Sequence, residues 1–380
     1  MRGLWARIAD YIREVDKIMF LLCLFTTGFG CMAVFSATHY TQSARQFIMQ
    51  VVAMFIGAAA AVFISLFDFE TFIKRWYIFA VIGAVPVLLT FIIGVGPAGT
   101  DDKAWLDLGI TTFQPSELLK ACFIITFTMH LTKVKESINK LRSLIPVCIH
   151  GGLPVILIHL QGDDGTALVF AVMVICMLWA AGLHIKYFII FLCAIVVAAP
   201  LIYFFVMNPD QQTRIQTMFD IEGDLQGAGW QQWRGRTALA GGGIWGQGYL
   251  KGSLTQMGKA GVPEGYNDFI FVTIGEELGF AGAFLSVVLL CSICFRCLKV
   301  AKLTNNFSGK LICVGFFSWM MAQVVINLGM CLSVLPVIGI TLPFFSAGGT
   351  SLSCLYLGVG LVLSVYMHRN SRTVYLHELK

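Results

Sequence analysis

Charge is what this sequence has least of. Only 12% of its 380 residues are Asp, Glu, Lys or Arg, while 57% are hydrophobic and the mean hydropathy is +0.79. Soluble domains carry roughly a quarter charged residues, so a water-soluble globule is excluded and an integral membrane protein is indicated. The twelve cysteines all avoid the longest polar stretch, 207–275, which excludes a disulfide-stapled ectodomain. The seven histidines never take HExxH-type spacing, and "CSICFRC" (Cys291, Cys294, Cys297) lacks a fourth ligand, so neither pattern marks a metal site. Heptads, tandem repeats and low-complexity tails are missing too. The opening "MRGLWARIADYIREVDKIMF" has acids and bases throughout, so a cleavable signal peptide is not expected there.

What fills the chain is apolar. A bilayer span needs roughly 20 mostly apolar residues, and ten such runs occur, near 18–37, 47–67, 76–94, 115–131, 144–160, 165–181, 186–206, 276–297, 311–335 and 343–367. The expected fold is an all-α polytopic membrane protein of about ten transmembrane helices, forming one domain over 1–380. Between helices 7 and 8 lies a large folded extracytoplasmic loop, 207–275. Charge tests the topology. With both termini cytoplasmic, the inner segments hold Arg2, Arg7, Arg13, Lys17, Lys74, Arg75, Lys133, Lys135, Lys140, Arg142, Lys186, Arg296, Lys299, Lys302, Lys310, Arg369, Arg372 and Lys380. The short outer loops hold only Arg45 and Lys103, as the positive-inside rule requires. Leu4, Trp5, Ile8, Ile12 and Val15 recur at helical spacing, so 1–17 is read as an amphipathic helix on the inner membrane face. Residues 368–380 form a cytoplasmic tail.

The large loop is rich in glycine ("LAGGGIWGQGYLKGS") and aromatics, and carries Arg214, Arg234, Arg236, Lys251 and Lys259. Its tryptophans and turns suit a folded loop on the membrane surface. "HLQGDDGTALV" and "LPFFSAGGTSL" read as re-entrant or helix-interrupting turns. Ionisable groups at membrane depth are expensive and usually face a cavity or the bundle interior. "FQPSELLK" sets Glu117 and Lys120 on one face of a helix opened by Pro115, either as a self-neutralising pair or as the border of a polar cavity. Asp163 and Asp164 stand at another helix start, where capping is the plain reading. "GYNDFIFVTIGEELGFAG" contains three acids and no Lys or Arg. Asp268 reads as the N-cap of a helix beginning at Phe269, a role that does not exclude action as a general base. Glu276 and Glu277 open the eighth span, where the helix dipole favours them. An unbroken helix from Phe269 to Cys297 would be about 43 Å long, so it must protrude, tilt or break at Gly275. With Arg45, Lys103 and the basic loop, these groups map to the outer half of the membrane. That distribution suits a substrate with anionic and apolar parts.

The stretches "WLDLG", "FQPSELLK", "LQGDDGTAL", "AGGGIWGQG", "NDFIFVTIGEELGFAG", "NLGMCLSVLPVIGITLPF" and "FSAGGTSL", in this order, resemble the SEDS (shape, elongation, division and sporulation) family of RodA/FtsW-type membrane glycosyltransferases, with a lean toward RodA. The resemblance implies ten membrane helices and polymerisation of lipid II, an undecaprenyl-diphosphate disaccharide-peptide, into peptidoglycan strands. It puts the family's essential aspartate on Asp268 as catalytic residue. Glu117, Lys120 and Asp163 fall on further motif positions as substrate-binding candidates, to which Arg45, Arg214 and Arg236 are added as diphosphate ligands. No cofactor is established by it; a divalent cation, magnesium or manganese, is compatible with the same charge-stabilising task. The implied partners are the growing glycan strand, a class B penicillin-binding transpeptidase and other elongation or division proteins, in a bacterial plasma membrane. The sequence departs from the family pattern at Gly162 and Asp164 (usually Pro and Leu), Ala104 (commonly Arg) and Ala347 (frequently Tyr). Two other readings use the same charges: a lipid-linked oligosaccharide flippase or transporter, and a low-activity scaffold of a wall-synthesis complex.

Overall fold

The computed structural model describes residues 11–96, 103–109, 112–220 and 228–369. Most of the expected amphipathic segment 1–17 and of the tail 368–380 lies outside the described residues. In chain order the helices are α1 (Lys17–Ala37), α2 (Arg45–Ser65), α3 (Phe69–Lys74), α4 (Trp76–Ile93), α5 (Pro115–Lys133), α6 (Leu141–His159), α7 (Asp164–Ala180) and α8 (Ile185–Phe205). They continue with α9 (Pro209–Phe219), α10 (Ala228–Gly242), α11 (Ile270–Leu303), α12 (Phe307–Cys331) and α13 (Gly349–Met367). One small antiparallel hairpin, β1 (Leu106–Asp107) with β2 (Thr112–Phe113), precedes α5. Each of the ten apolar runs coincides with a helix, and eight of these helices are long and apolar enough to cross a membrane. The other two are α5, polar at both ends, and α7, of 17 residues.

Burial sorts the bundle. α5, α12 and α13 bury most of their residues and form the centre, whereas α8 buries none. α13 lies close along α2 where Gly57 makes room for the Tyr356 ring and Gly360 abuts Ala61, the small-residue contact usual between membrane helices. At the end of the bundle where α1 begins, Asp16 caps α1 through Met19 N (3.1 Å) and takes two bonds from Arg296 (2.7 and 2.8 Å). That bidentate pair ties the start of α1 to the end of α11.

The opposite end is organised by a break in α11. The helix breaks at Gly279 (φ 66, ψ −166), one turn beyond the expected Gly275. A break in an apolar helix strands backbone groups that must be paired again. Residues 243–248 do this: Gln247 and Gly248 N–H donate to the carbonyls of Glu276 and Glu277 (3.0 Å each), while Gly243 and Ile244 carbonyls accept from Phe280 and Ala281 (2.9 and 3.1 Å). Both Gly246 (φ 81) and Gly279 need left-handed backbone, and a Cβ on Gly279 would sit 2.3 Å from Gly246 N. Glu276 and Glu277 do not sit in the first turn for the dipole to stabilise. They are buried and bind the strap 250–256. Glu276 accepts from Leu254 N, Thr255 N and Thr255 Oγ1 (2.7, 2.7 and 2.6 Å); Glu277 accepts from Ser36 Oγ, Gln256 Nε2 and Leu250 N (2.5, 2.8 and 3.2 Å). Carboxylates so saturated need no cation. Gly279→Ala is expected to cost about 1–3 kcal/mol from conformation alone, with the clash in addition. A clear fall in unfolding temperature in detergent, unmatched by Gly28→Ala in open space, checks it.

Candidate functional site

Asp268 stands at the end of the turn that leads from the strap into α11. The helix starts at Ile270 with Phe269 as N-cap and no side-chain cap bond, so Asp268 does not cap it as the sequence reading allowed. Instead the backbone around it is clamped. Asn327 Nδ2 donates to both Asp268 O and Ile340 O (2.7 Å each). Ser346 Oγ donates to Asn267 O (2.8 Å), and Ala347 N to Tyr266 O (2.8 Å). Gln50, buried in α2, holds the same turn through Ser346 O and Gly348 N (2.9 and 3.2 Å). The carboxylate itself has no hydrogen bond among the described residues, and Gly339 faces it, an added Cβ there lying 3.6 Å from Oδ2. Part of its surface stays open while protein crowds the rest. Burial, then the nearby negative charges of Glu264 and Asp163, push its pKa up to about 7.

The facing wall comes from α5 and α7. Pro115 opens α5, and one turn on Lys120 Nζ meets Glu117 Oε1 at 2.7 Å, both side chains buried. Lys120 also lies over the Trp319 ring, 5.1 Å from its centre, while Glu117 Oε2 is buried with no hydrogen-bond partner among the described residues. Asp163 caps α7 through Thr166 N (2.9 Å) and accepts from Gln114 Nε2 (2.8 Å). Burial raises its pKa; the Thr166 bonds and Lys120 oppose the rise. The turn before it needs Gly162 at φ 88, a value closed to the Pro of the resembled pattern.

The arginines divide. Arg45 lines a cleft of about 400 Å³ with Gln50, Trp105, Tyr266 and Asn267, the last adjoining Asp268. Arg214, exposed on α9, donates to Val337 O (3.3 Å), two residues from the Gly339 that faces Asp268. Arg236 is exposed on α10, and no described contact joins it to the other site residues. Its neighbour Arg234 stacks on Trp230, 4.3 Å from the ring centre. Among the described residues, no three His, Cys, Asp or Glu lie together as metal ligands.

The family model of the FtsW, RodA and SpoVE cell cycle proteins matches residues 16–371. The chain belongs to this family. Within it, peptidoglycan glycosyltransferase MrdB of Escherichia coli is 32% identical over 286 residues, 74% of this chain and 76% of that protein. The probable peptidoglycan glycosyltransferase FtsW of Trichlorobacter lovleyi is 27% identical and covers 94% of both chains. A solved chain from work on a peptidoglycan synthase complex that coordinates polymerization and crosslinking superposes with TM-score 0.80, at 26% identity, over 94% of this chain and 99% of its own. The protein is thus a multi-pass membrane member of the SEDS family.

In this family member the sequence reading missed the residues that hold the acids in place: Gln114, Asn327, Gln50 and Ser346. Each is a polar group at the edge of, or within, an apolar run, and that alone was the available signal. Lys120→Met, which strands Glu117 in the bundle, is expected to lose ~3–5 kcal/mol of stability. Most should return in the Lys120→Met/Glu117→Gln double variant, read as unfolding temperature in detergent.

Proposed function

We propose that this protein polymerises lipid II into peptidoglycan glycan strands at the outer face of a bacterial plasma membrane, both termini being cytoplasmic. The observation that carries the reading is one carboxylate unlike the others. Glu276 and Glu277 are saturated by donors, Glu117 is paired, Asp163 is capped, and Asp268 has an open edge and a raised pKa. A base that titrates near neutrality is matched to taking a proton at physiological pH. Asp268 removes the proton from an acceptor sugar 4-hydroxyl as that oxygen attacks the anomeric carbon of the donor. The C–O bond to the lipid diphosphate breaks, and the α-linked donor becomes β-linked. Lys120, Arg45 and Arg214 offset the charge that gathers on the departing diphosphate. Asp163 and Glu117 hold Lys120 in register. Arg236 lacks a described contact with the site and is left out of this role.

The residues present give a divalent cation no three-acid cradle among those described; Asp163 and Asp268 are the acids nearest such a role, and no step here runs through an ion. The likeness to a chain from a synthase complex supports a crosslinking transpeptidase as partner. A transporter of the same lipid would need charged partners for its diphosphate along the whole path. Among the described residues the buried charged groups are Glu117 and Lys120 in the first turns of α5, Glu276 and Glu277 before the break in α11, and Asp16 at the start of α1. Uncharged Thr, Ser and Gln line the bundle between them, which favours chemistry at a surface.

In a purified lipid II polymerisation assay, Asp268→Asn is expected to lose roughly 10²–10⁴-fold in rate; near-normal strands from that variant would remove Asp268 from the mechanism. The wild-type rate should rise with pH through about 7, because the raised acid is protonated and idle below that value. Glu264→Gln, which removes one of the charges raising it, is expected to move this rise to lower pH in the rate profile.

A further inference from the structure

Asp163 and Asp164 are adjacent acids that turn to different tasks. Asp163 faces inward, to Gln114 and the start of α7. Asp164 takes Gln211 Nε2 at 2.6 Å and stands 2.5 Å from His159 Nδ1. Gln211 belongs to α9, and both ends of its amide are engaged. Its Oε1 accepts from Asn208 N (3.1 Å) in the capping box that starts α9, while its Nε2 reaches Asp164. The glutamine that completes the capping box around Asn208 is therefore also the side chain that fastens α9 to α7.

Three residues along α9, on the same face, Arg214 donates to Val337 O. The segment 337–339 is wedged among site elements. Ile338 O packs on Gly165 of α7, where a Cβ would lie at 2.6 Å, and Gly339 faces the Asp268 carboxylate. Arg214 has five N–H donors, and one of them is used among the described residues. Only a docked α9 puts that guanidinium beside the segment touching Asp268. Among the described residues α9 is also held at its far end, where Thr217 is buried and the helix packs on α10, while Gln212 and Gln216 bond Tyr203, on the end of α8. At its first turn Gln211 is the side chain that reaches α7.

We propose that Asp164 is a positioning residue that docks α9 through Gln211 and so holds Arg214 against the diphosphate of the lipid-linked donor. The inference rests on the glycosyltransferase reading for the identity of that ligand. It assigns a task to an acid that stands where the resembled pattern has an apolar residue.

The probe is undecaprenyl diphosphate, titrated onto the full-length protein in detergent, so that binding is read apart from turnover. Asp164→Ala, Gln211→Ala and Arg214→Ala are each expected to weaken binding, roughly tenfold for Arg214→Ala. Asp164→Ala should add nothing in an Arg214→Ala background, because it acts through that arginine. Asp164→Asn keeps an acceptor for Gln211 and should bind nearly as wild type. Unchanged binding in Asp164→Ala, or a loss that adds in full to that of Arg214→Ala, overturns the proposal. So does a loss accompanied by an equal fall in unfolding temperature that Asp164→Asn fails to restore. Lipid II polymerisation by the wild type is followed in parallel. A wild type that binds the diphosphate but builds no strand sinks the glycosyltransferase reading and leaves the docking result standing.

Discussion

The loop end of the molecule depends on the trade of backbone hydrogen bonds at Gly279. A continuous α11 would satisfy itself and offer nothing to a neighbour. Once broken, it presents two carbonyls and two N–H groups inside an apolar bundle, where unpaired peptide groups cost several kcal/mol each. Residues 243–248 can meet that demand only by approaching the helix backbone directly, hence glycines at 246 and 279. The strap that follows is then anchored by Glu276 and Glu277, and the strap delivers the chain to Asp268.

Four kinds of acid surround this site, distinguished by what holds them. Those of Glu276 and Glu277 are sated by backbone and side-chain donors, which fill their acceptor sites. Glu117 relies on Lys120, a pair whose worth lies in fixing a cation at depth more than in stability. Asp163 is a cap with a second donor, Gln114. Asp268 is held by its backbone alone, so its position is set while its carboxylate keeps its proton affinity. The general-base role proposed for Asp268 calls for that combination of rigid placement and an unspent lone pair.

The spans were legible because apolar runs of bilayer length admit few alternatives, and the order of the motifs pointed to the family. The ion pair of Glu117 and Lys120 followed from helical spacing after Pro115. What stayed hidden was long-range. Nothing near residue 268 announces that Asn327, 59 positions on, grips its carbonyl, and a capping role for Asp268 was locally as sound as the one observed. Among protrusion, tilt and a break at Gly275, the long helix takes a break, one turn later at Gly279; glycine at 275 offers the same local freedom. Only the fit of Gly246 against Gly279 decides between them.

The departures from the resembled pattern are not equivalent. Ala104 is buried beside the small hairpin, whereas Ala347 lines the same cleft as Arg45 and Asn267, so of the two it is Ala347 that leaves room in the cleft adjoining Asp268. Gly162 and Asp164 belong together. A proline could not adopt the left-handed turn at 162, and an apolar residue at 164 could not take the Gln211 amide. The pair of changes therefore re-forms one corner: the turn opens, an acid faces outward, and α9 gains an attachment. Under the proposed reading, that attachment fastens an arginine at the corner of the site opened by the Gly162 turn.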